Sequence, residues 1–257
     1  MLKRVQHDGW GESRAGPIIK LAFFSLIVPA TAGAQDLPPV AFPSLPAEAA
    51  TEEGFVPKGW RIEARAGGDL DGDGRPDTAL VLRGADPVNF IPQPMCEERL
   101  DTNPRILAML LARPGGGYRL AVDNHALIPR RDNACQVDPF SDPGQLAIER
   151  GILRIDLERM MSAGGWDAGM TTYKLRWRDE ALRLIGFDYS NVKRNTGALS
   201  RLSVNYLTGR AKIATGNIET DREKIRWTKL RNPQGPTLDW IGDGLAFDPE
   251  GLIGTLP

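Results

Sequence analysis

Beyond residue 59 the apolar positions recur mostly with the period of a strand, and tight turns separate the runs. Trp60 to Ala64 alternates, Thr78 to Leu82 and Ile106 to Ala112 are short continuous apolar runs, and Tyr118 to Val122 alternates after the Gly-rich turn at Gly115 to Gly117. Leu153, Ile155 and Leu157 share one strand face whose other side carries Arg154 and Asp156. The clearest hairpin sets Tyr173, Leu175 and Trp177 against Lys174, Arg176 and Arg178, turns at Asp179-Glu180 and returns through Leu182 to Tyr189. A second hairpin follows, with Leu202, Val204 and Tyr206 before a turn at Thr208-Gly209 and Arg210 to Ala214 after it; a last strand is expected at Ile225 to Leu230. Alternation over short segments bounded by turn residues predicts an antiparallel all-β protein, its hairpins packed as a sandwich-like or partial-propeller domain. Helix is expected only as one or two turns within 143–150, since no longer stretch holds an i, i+3, i+4 apolar pattern.

The flanks read differently. Lys3, Arg4, Arg14 and Lys20 precede the apolar run Leu21 to Val28, then Pro29 and the small-residue sequence Ala32-Gly33-Ala34. That order predicts a secretory signal peptide over 1–34, cut after Ala34. The run falls well short of the ~20 residues that span a bilayer, so no membrane span is expected. Residues 35–58 are Pro/Ala-rich and read as a linker or a surface arm. The body is expected over 59–232, and the Gly/Pro-rich remainder, 233–257, as an irregular tail wrapping it. The expected compartment is periplasmic or extracellular. Export changes the reading of Cys96 and Cys135, the only cysteines: an oxidising compartment favours one disulfide, worth on the order of 4 kcal/mol in the chain-entropy model.

With 32 Lys+Arg against 33 Asp+Glu, the formal net charge of −1 gives no footprint for a nucleic-acid partner. The run Gly68-Asp69-Leu70-Asp71-Gly72-Asp73-Gly74-Arg75-Pro76-Asp77 does point to chemistry. Carboxylates at alternate positions, then a Gly that lets the chain turn back, are what a hard cation needs, and calcium suits a flexible oxygen cage better than magnesium. The alternative is a solvated acidic turn. The loop is not an EF-hand: Leu80 stands where the bidentate Glu would be, and strand residues follow.

The stretch from Gly67 to Leu82 resembles the calcium hairpin of FG-GAP (VCBS-type) repeats, and the chain shows it once. The resemblance implies carboxylate ligands from Asp69, Asp71, Asp73 and Asp77 and a carbonyl ligand from Arg75. More loosely, the strand order around the loop resembles small periplasmic proteins of bacteria with a single such loop, which implies a compartment and not an activity.

Other candidates carry less. His125 has no partner at readable spacing. The carboxylate pairs Asp138/Asp142 and Glu149/Asp156 could form a glycosidase-like dyad, as any acidic chain could. Trp166 sits in a Gly-rich loop, where it could stack on a sugar or a partner, or fold over the end of the sheet; the second is preferred. The basic face of Lys174, Arg176, Arg178 and Arg183 reads as the solvated side of a sheet. The leading expectation is a calcium-stabilised binding or structural module with a protein or glycan partner in the cell envelope. The alternative is an envelope hydrolase acting on glycan or phosphate.

Overall fold

A computed structural model describes residues 37–256, so the predicted signal peptide lies outside the described residues. Among the described residues no helix is long and apolar enough to cross a membrane. In chain order the strands are β1 (Glu48–Ala49), β2 (Trp60–Gly68), β3 (Asp77–Gly84), β4 (Phe90–Pro92), β5 (Arg99–Asp101), β6 (Arg105–Ala112) and β7 (Tyr118–Asn124). After a long loop come β8 (Leu146–Glu149), β9 (Ile152–Met160), β10 (Asp167–Arg178), β11 (Ala181–Lys193), β12 (Ala198–Asn205), β13 (Arg210–Asn217) and β14 (Thr220–Lys229). They form a five-stranded sheet in the order β1-β7-β6-β3-β2 and a seven-stranded meander running β14 to β8, with β4-β5 as a separate ribbon. The fold is all-β, with the two large sheets packed like a sandwich.

The core follows from the strand periods. Ala79, Val81, Leu107, Met109 and Leu111 of the five-stranded sheet meet Leu153, Ile155, Tyr173, Leu175, Phe187 and Val204 of the other. The alternate residues of β3 and β6, among them Leu80, Leu82, Ile106 and Leu110, fill a second cluster on the outer face. Both strands are therefore covered on both sides, which is why Thr78 to Leu82 and Ile106 to Ala112 read as unbroken apolar runs.

What covers that outer face is the Pro/Ala-rich stretch, which forms a docked arm. It adds β1 to the edge strand β7 and sinks Leu45 and Phe55 into the second cluster. Full burial of Phe55 contributes about 1.5–3 kcal/mol toward holding the arm, beside Leu45 and the β1–β7 pairing.

Bulges re-phase the alternation at several points. In the β10–β11 pair Lys174 faces Gly186 and Leu175 faces Leu184, leaving Ile185 without an opposite residue. The inward set of β11 thus shifts from Leu182 and Leu184 to Phe187. A similar break between Ile62 and Ala64 sets Glu63 apart in β2. The expected helical stretch 143–150 is a single 3-10 turn, Pro143–Gln145, followed by β8. Asp142 caps that turn through the Gly144 N–H, and β-sheet pairing with β9 takes over from Leu146.

The tail docks on the core with one helical turn, α1 (Leu238–Ile241). The buried Tyr173 hydroxyl donates to the Gly244 carbonyl at 2.6 Å, and the Gly244 N–H donates to the Leu127 carbonyl at 3.0 Å. A Cβ on Gly244 would sit 2.4 Å from the Leu127 carbonyl oxygen, so the approach requires glycine. Phe247 then joins Tyr173 and Phe187 in an edge-packed aromatic group.

Candidate metal centre

The aspartate run is the connection from β2 to β3, at the free edge of the five-stranded sheet. Its base abuts β8 and the turn into β9: Ile148 packs on Gly68, and a Cβ on Gly151 would lie 3.7 Å from the Asp69 carbonyl. The loop therefore sits where the edge strands of the two sheets meet. Leu70, only 4% exposed, anchors it in the main core.

Side-chain acceptors curl the loop. The two Asp69 carboxylate oxygens accept the Gly72 N–H at 2.8 Å and the Gly74 N–H at 3.0 Å. Gly72 and Gly74 both take φ of +83°, the left-handed conformation that glycine adopts without steric cost. Asp71 Oδ1 accepts the Asp73 N–H at 3.1 Å. Asp77 is fully buried: Oδ2 accepts from Leu70 N–H at 2.8 Å and Asp71 N–H at 3.3 Å, and Oδ1 from Ala112 N–H at 2.9 Å.

The outcome is a convergence of three of the four expected carboxylates. Asp69, Asp71 and Asp77 each offer an oxygen within 4.8 Å of the others, so the cluster could bind a metal ion. Asp71 is exposed, but partial desolvation within the curled loop raises its pKa, and the charges of Asp77, Asp73 and Asp69 add to that rise against the opposing backbone hydrogen bond from Asp73. Asp73 stands outside the cluster. Its carboxylate takes the Arg75 N–H at 2.8 Å on one oxygen and the Arg75 guanidinium on the other. The contacts of Arg75 come from its backbone N–H and its side chain, whose Nε also donates to the Ala112 carbonyl at 3.2 Å and so latches the loop to the end of β6.

The remaining candidates are dispersed. Cys96 and Cys135 form a disulfide that ties the β4–β5 ribbon to the loop before β8. Trp166 is 60% exposed, which overturns the expectation of an indole folded over the sheet end. Its loop is held instead by Arg194, whose backbone N–H and guanidinium bond the carbonyls of Trp166 and Gly165. His125 bonds Asp123 at 2.6 Å and stacks on Phe42. Three members of the suggested carboxylate dyads are engaged elsewhere: Asp142 caps a turn, Asp156 pairs with Arg154 and accepts the Thr172 hydroxyl, and Asp138 belongs to an ion cluster.

That cluster has no signature in the sequence. Arg105, its side chain 1% exposed, reaches Glu63 at 2.6 Å, Asp138 at 2.8 Å and the Phe140 carbonyl at 2.8 Å. Arg83 binds Glu63, Asp101 and Asp138. Burial alone would raise the Asp138 pKa; the Arg105 guanidinium and the charge of Arg83 outweigh it and hold the carboxyl below its usual range. The bonded partners lie up to 55 residues apart in the chain.

Comparison of the chain with family models, with curated proteins and with solved structures gave no match.

Proposed function

We propose that this chain is an exported binding or structural module whose inter-sheet loop is held by calcium. The observation that carries the reading is the convergence of Asp69, Asp71 and Asp77 within 4.8 Å, with Asp77 fully buried. Oxygens bound to one calcium at ~2.3–2.6 Å are separated by at most about 5 Å, so the cluster matches a single ion. All three donors are hard carboxylate oxygens, as calcium prefers, and like charges so close repel unless a cation lies among them. The loop's likeness to the FG-GAP hairpin supports the same ion. Asp73 would join if Arg75 released it, and water would complete the shell.

In this reading the ion is structural. It would fix the base of the β2–β3 loop against β8 and β9, holding the edges of the two sheets in register. The leader over 1–34 and the disulfide fit an oxidising, periplasmic or extracellular compartment, with a protein or glycan of the cell envelope as partner. Thermal melts of the disulfide-intact protein test the ion directly. A ligand bound only by the folded state adds about 2.7 kcal/mol at a hundredfold excess over its Kd. Calcium should therefore raise Tm over the EDTA-treated sample, and superimposable curves would refute the proposal.

A further inference from the structure

The last strand of the meander is paired along one edge. β14 bonds to β13 from Arg210↔Lys229 to Asn217↔Thr220, and among the described residues no strand lies along its other edge. The backbone N–H and C=O groups there form an open ladder on a strand of 10 residues, a template for adding a strand from another chain. β14 is also uncovered on both faces. On the inner face Ala211 and Ile213 of β13 are buried, whereas Thr228 and Arg226 opposite them are not, so the packed core stops one strand short of the edge. On the outer face Ile225 and Trp227 are 53% and 56% exposed.

Alternation sorts the side chains of this edge. Lys224 and Arg226 stand on the inner face, opposite Thr215 and Ile213, and Ile225 and Trp227 on the outer face, opposite Ala214 and Lys212. The carboxylate of Glu223 is held by Arg201 at 2.7 Å, and none of Arg222, Lys224, Arg226 and Lys229 forms an ion pair among the described residues. Arg210 lies 5.3 Å from the Trp227 ring centroid and brings a further cation to the outer face. The charge is segregated on a larger scale as well. Residues 167–231 carry 14 Lys+Arg against 7 Asp+Glu, in a chain whose formal net charge is −1. This side of the molecule therefore attracts an acidic partner and steers its approach.

We propose that the free edge of β14 captures an extended acidic segment of a partner protein by strand addition. The added backbone takes up the open N–H and C=O groups. Acidic side chains at every second position of the added strand repeat about every 6.5–7 Å, as Lys224 and Arg226 do, and meet those cations on the inner face. Apolar side chains at the intervening positions lie against Ile225 and Trp227. A second copy of the chain does not fit: antiparallel pairing of β14 with itself, centred on any residue from Lys224 to Arg226, sets cation opposite cation on the inner face, which is destabilising. β14 closes the seven-stranded sheet at the end opposite β8, which the aspartate loop abuts, so the inference does not rest on calcium.

Fluorescence polarisation of a short, capped, dye-labelled peptide of alternating Glu and Val, titrated with the disulfide-intact protein in calcium, tests it. Saturable binding is expected. The same peptide methylated on its backbone nitrogens keeps its charge but cannot pair as a strand, and a peptide of alternating Lys and Val reverses the charge; each should bind at least about tenfold more weakly. Hydrogen exchange should slow within 222–229 when the Glu peptide is added. Lys224→Glu combined with Arg226→Glu should lose a similar factor for the Glu peptide and gain the Lys peptide; if that variant does not fold, the peptide series and the exchange map carry the test on the unaltered protein. Absence of saturable binding at millimolar concentration overturns the proposal. So does equal binding of the methylated peptide, which would mean that charge alone recruits any polyanion, glycan included, and so does protection confined to another strand. Melts with and without calcium report on the aspartate loop separately.

Discussion

Asp77 and Asp71 belong to the same cluster but do different physical work, and substituting each by asparagine separates the two roles. Asp77→Asn keeps the shape, removes the charge and replaces one acceptor oxygen by a donor. Whichever way the new amide turns, it faces an N–H on one side: Ala112, or Leu70 together with Asp71. Hydrogen bonds to a charged group contribute about 1.5–3 kcal/mol, and a buried N–H left unmet costs a comparable amount, so the loss should be roughly 2–4 kcal/mol even in EDTA. Asp71 is exposed, and its single backbone acceptor role survives in asparagine. In EDTA, Asp71→Asn should lie within about 0.5 kcal/mol of the parent, as surface changes do. It should nevertheless lose most of the calcium-induced rise in stability. Urea unfolding of parent and both variants, each with EDTA and with calcium, gives all six values. A parent-like Asp77→Asn in EDTA would refute the buried-acceptor argument. An undiminished calcium response in Asp71→Asn would refute its place as a ligand.

Other expectations follow from the same structure. Serine in place of both Cys96 and Cys135 opens a 39-residue separation and should cost up to about 4 kcal/mol in the chain-entropy model, read by denaturant unfolding. Asp179 and Glu180 both sit at positive φ, 51° and 55°, so Glu180→Gly should relieve left-handed strain of about 1–2 kcal/mol against an entropic cost of about 0.5–1, a small net gain in Tm. Asp138 has a depressed folded pKa, so its stabilising contribution is complete above the unfolded value near 3.8 and is lost as pH falls through the folded one. Acid titrations of stability should show a shallower fall for Asp138→Asn, which begins from a lower plateau because Arg105 and Arg83 each lose one of their charged partners.

How much of this was legible in the sequence depends on the range of the interaction. Local alternation located the β10–β11 and β12–β13 hairpins and the Asp179-Glu180 turn, because period-2 patterning and turn chemistry act over a few residues. The alternating aspartates likewise marked the loop. Arg75, two residues from Asp73, draws that carboxylate away, a competition that ligand spacing alone does not register. Phe55 in a proline-rich stretch gave no strand signal, since its burial depends on the distant faces of β3 and β6. The Arg83–Arg105 cluster was invisible for the same reason: Glu63, Asp101 and Asp138 come from separate segments, and only the fold brings them together. Past Ile185 the alternation read from Leu182 onward goes out of phase, because the bulge there changes which β11 residues face inward.

Calorimetric titration of calcium into the EDTA-stripped, disulfide-intact protein tests the central claim most directly. The account requires one ion per chain, binding that weakens sharply in Asp71→Asn, and a Tm that climbs with calcium concentration. No saturable heat in the parent protein, or the same isotherm in the variant, would contradict it.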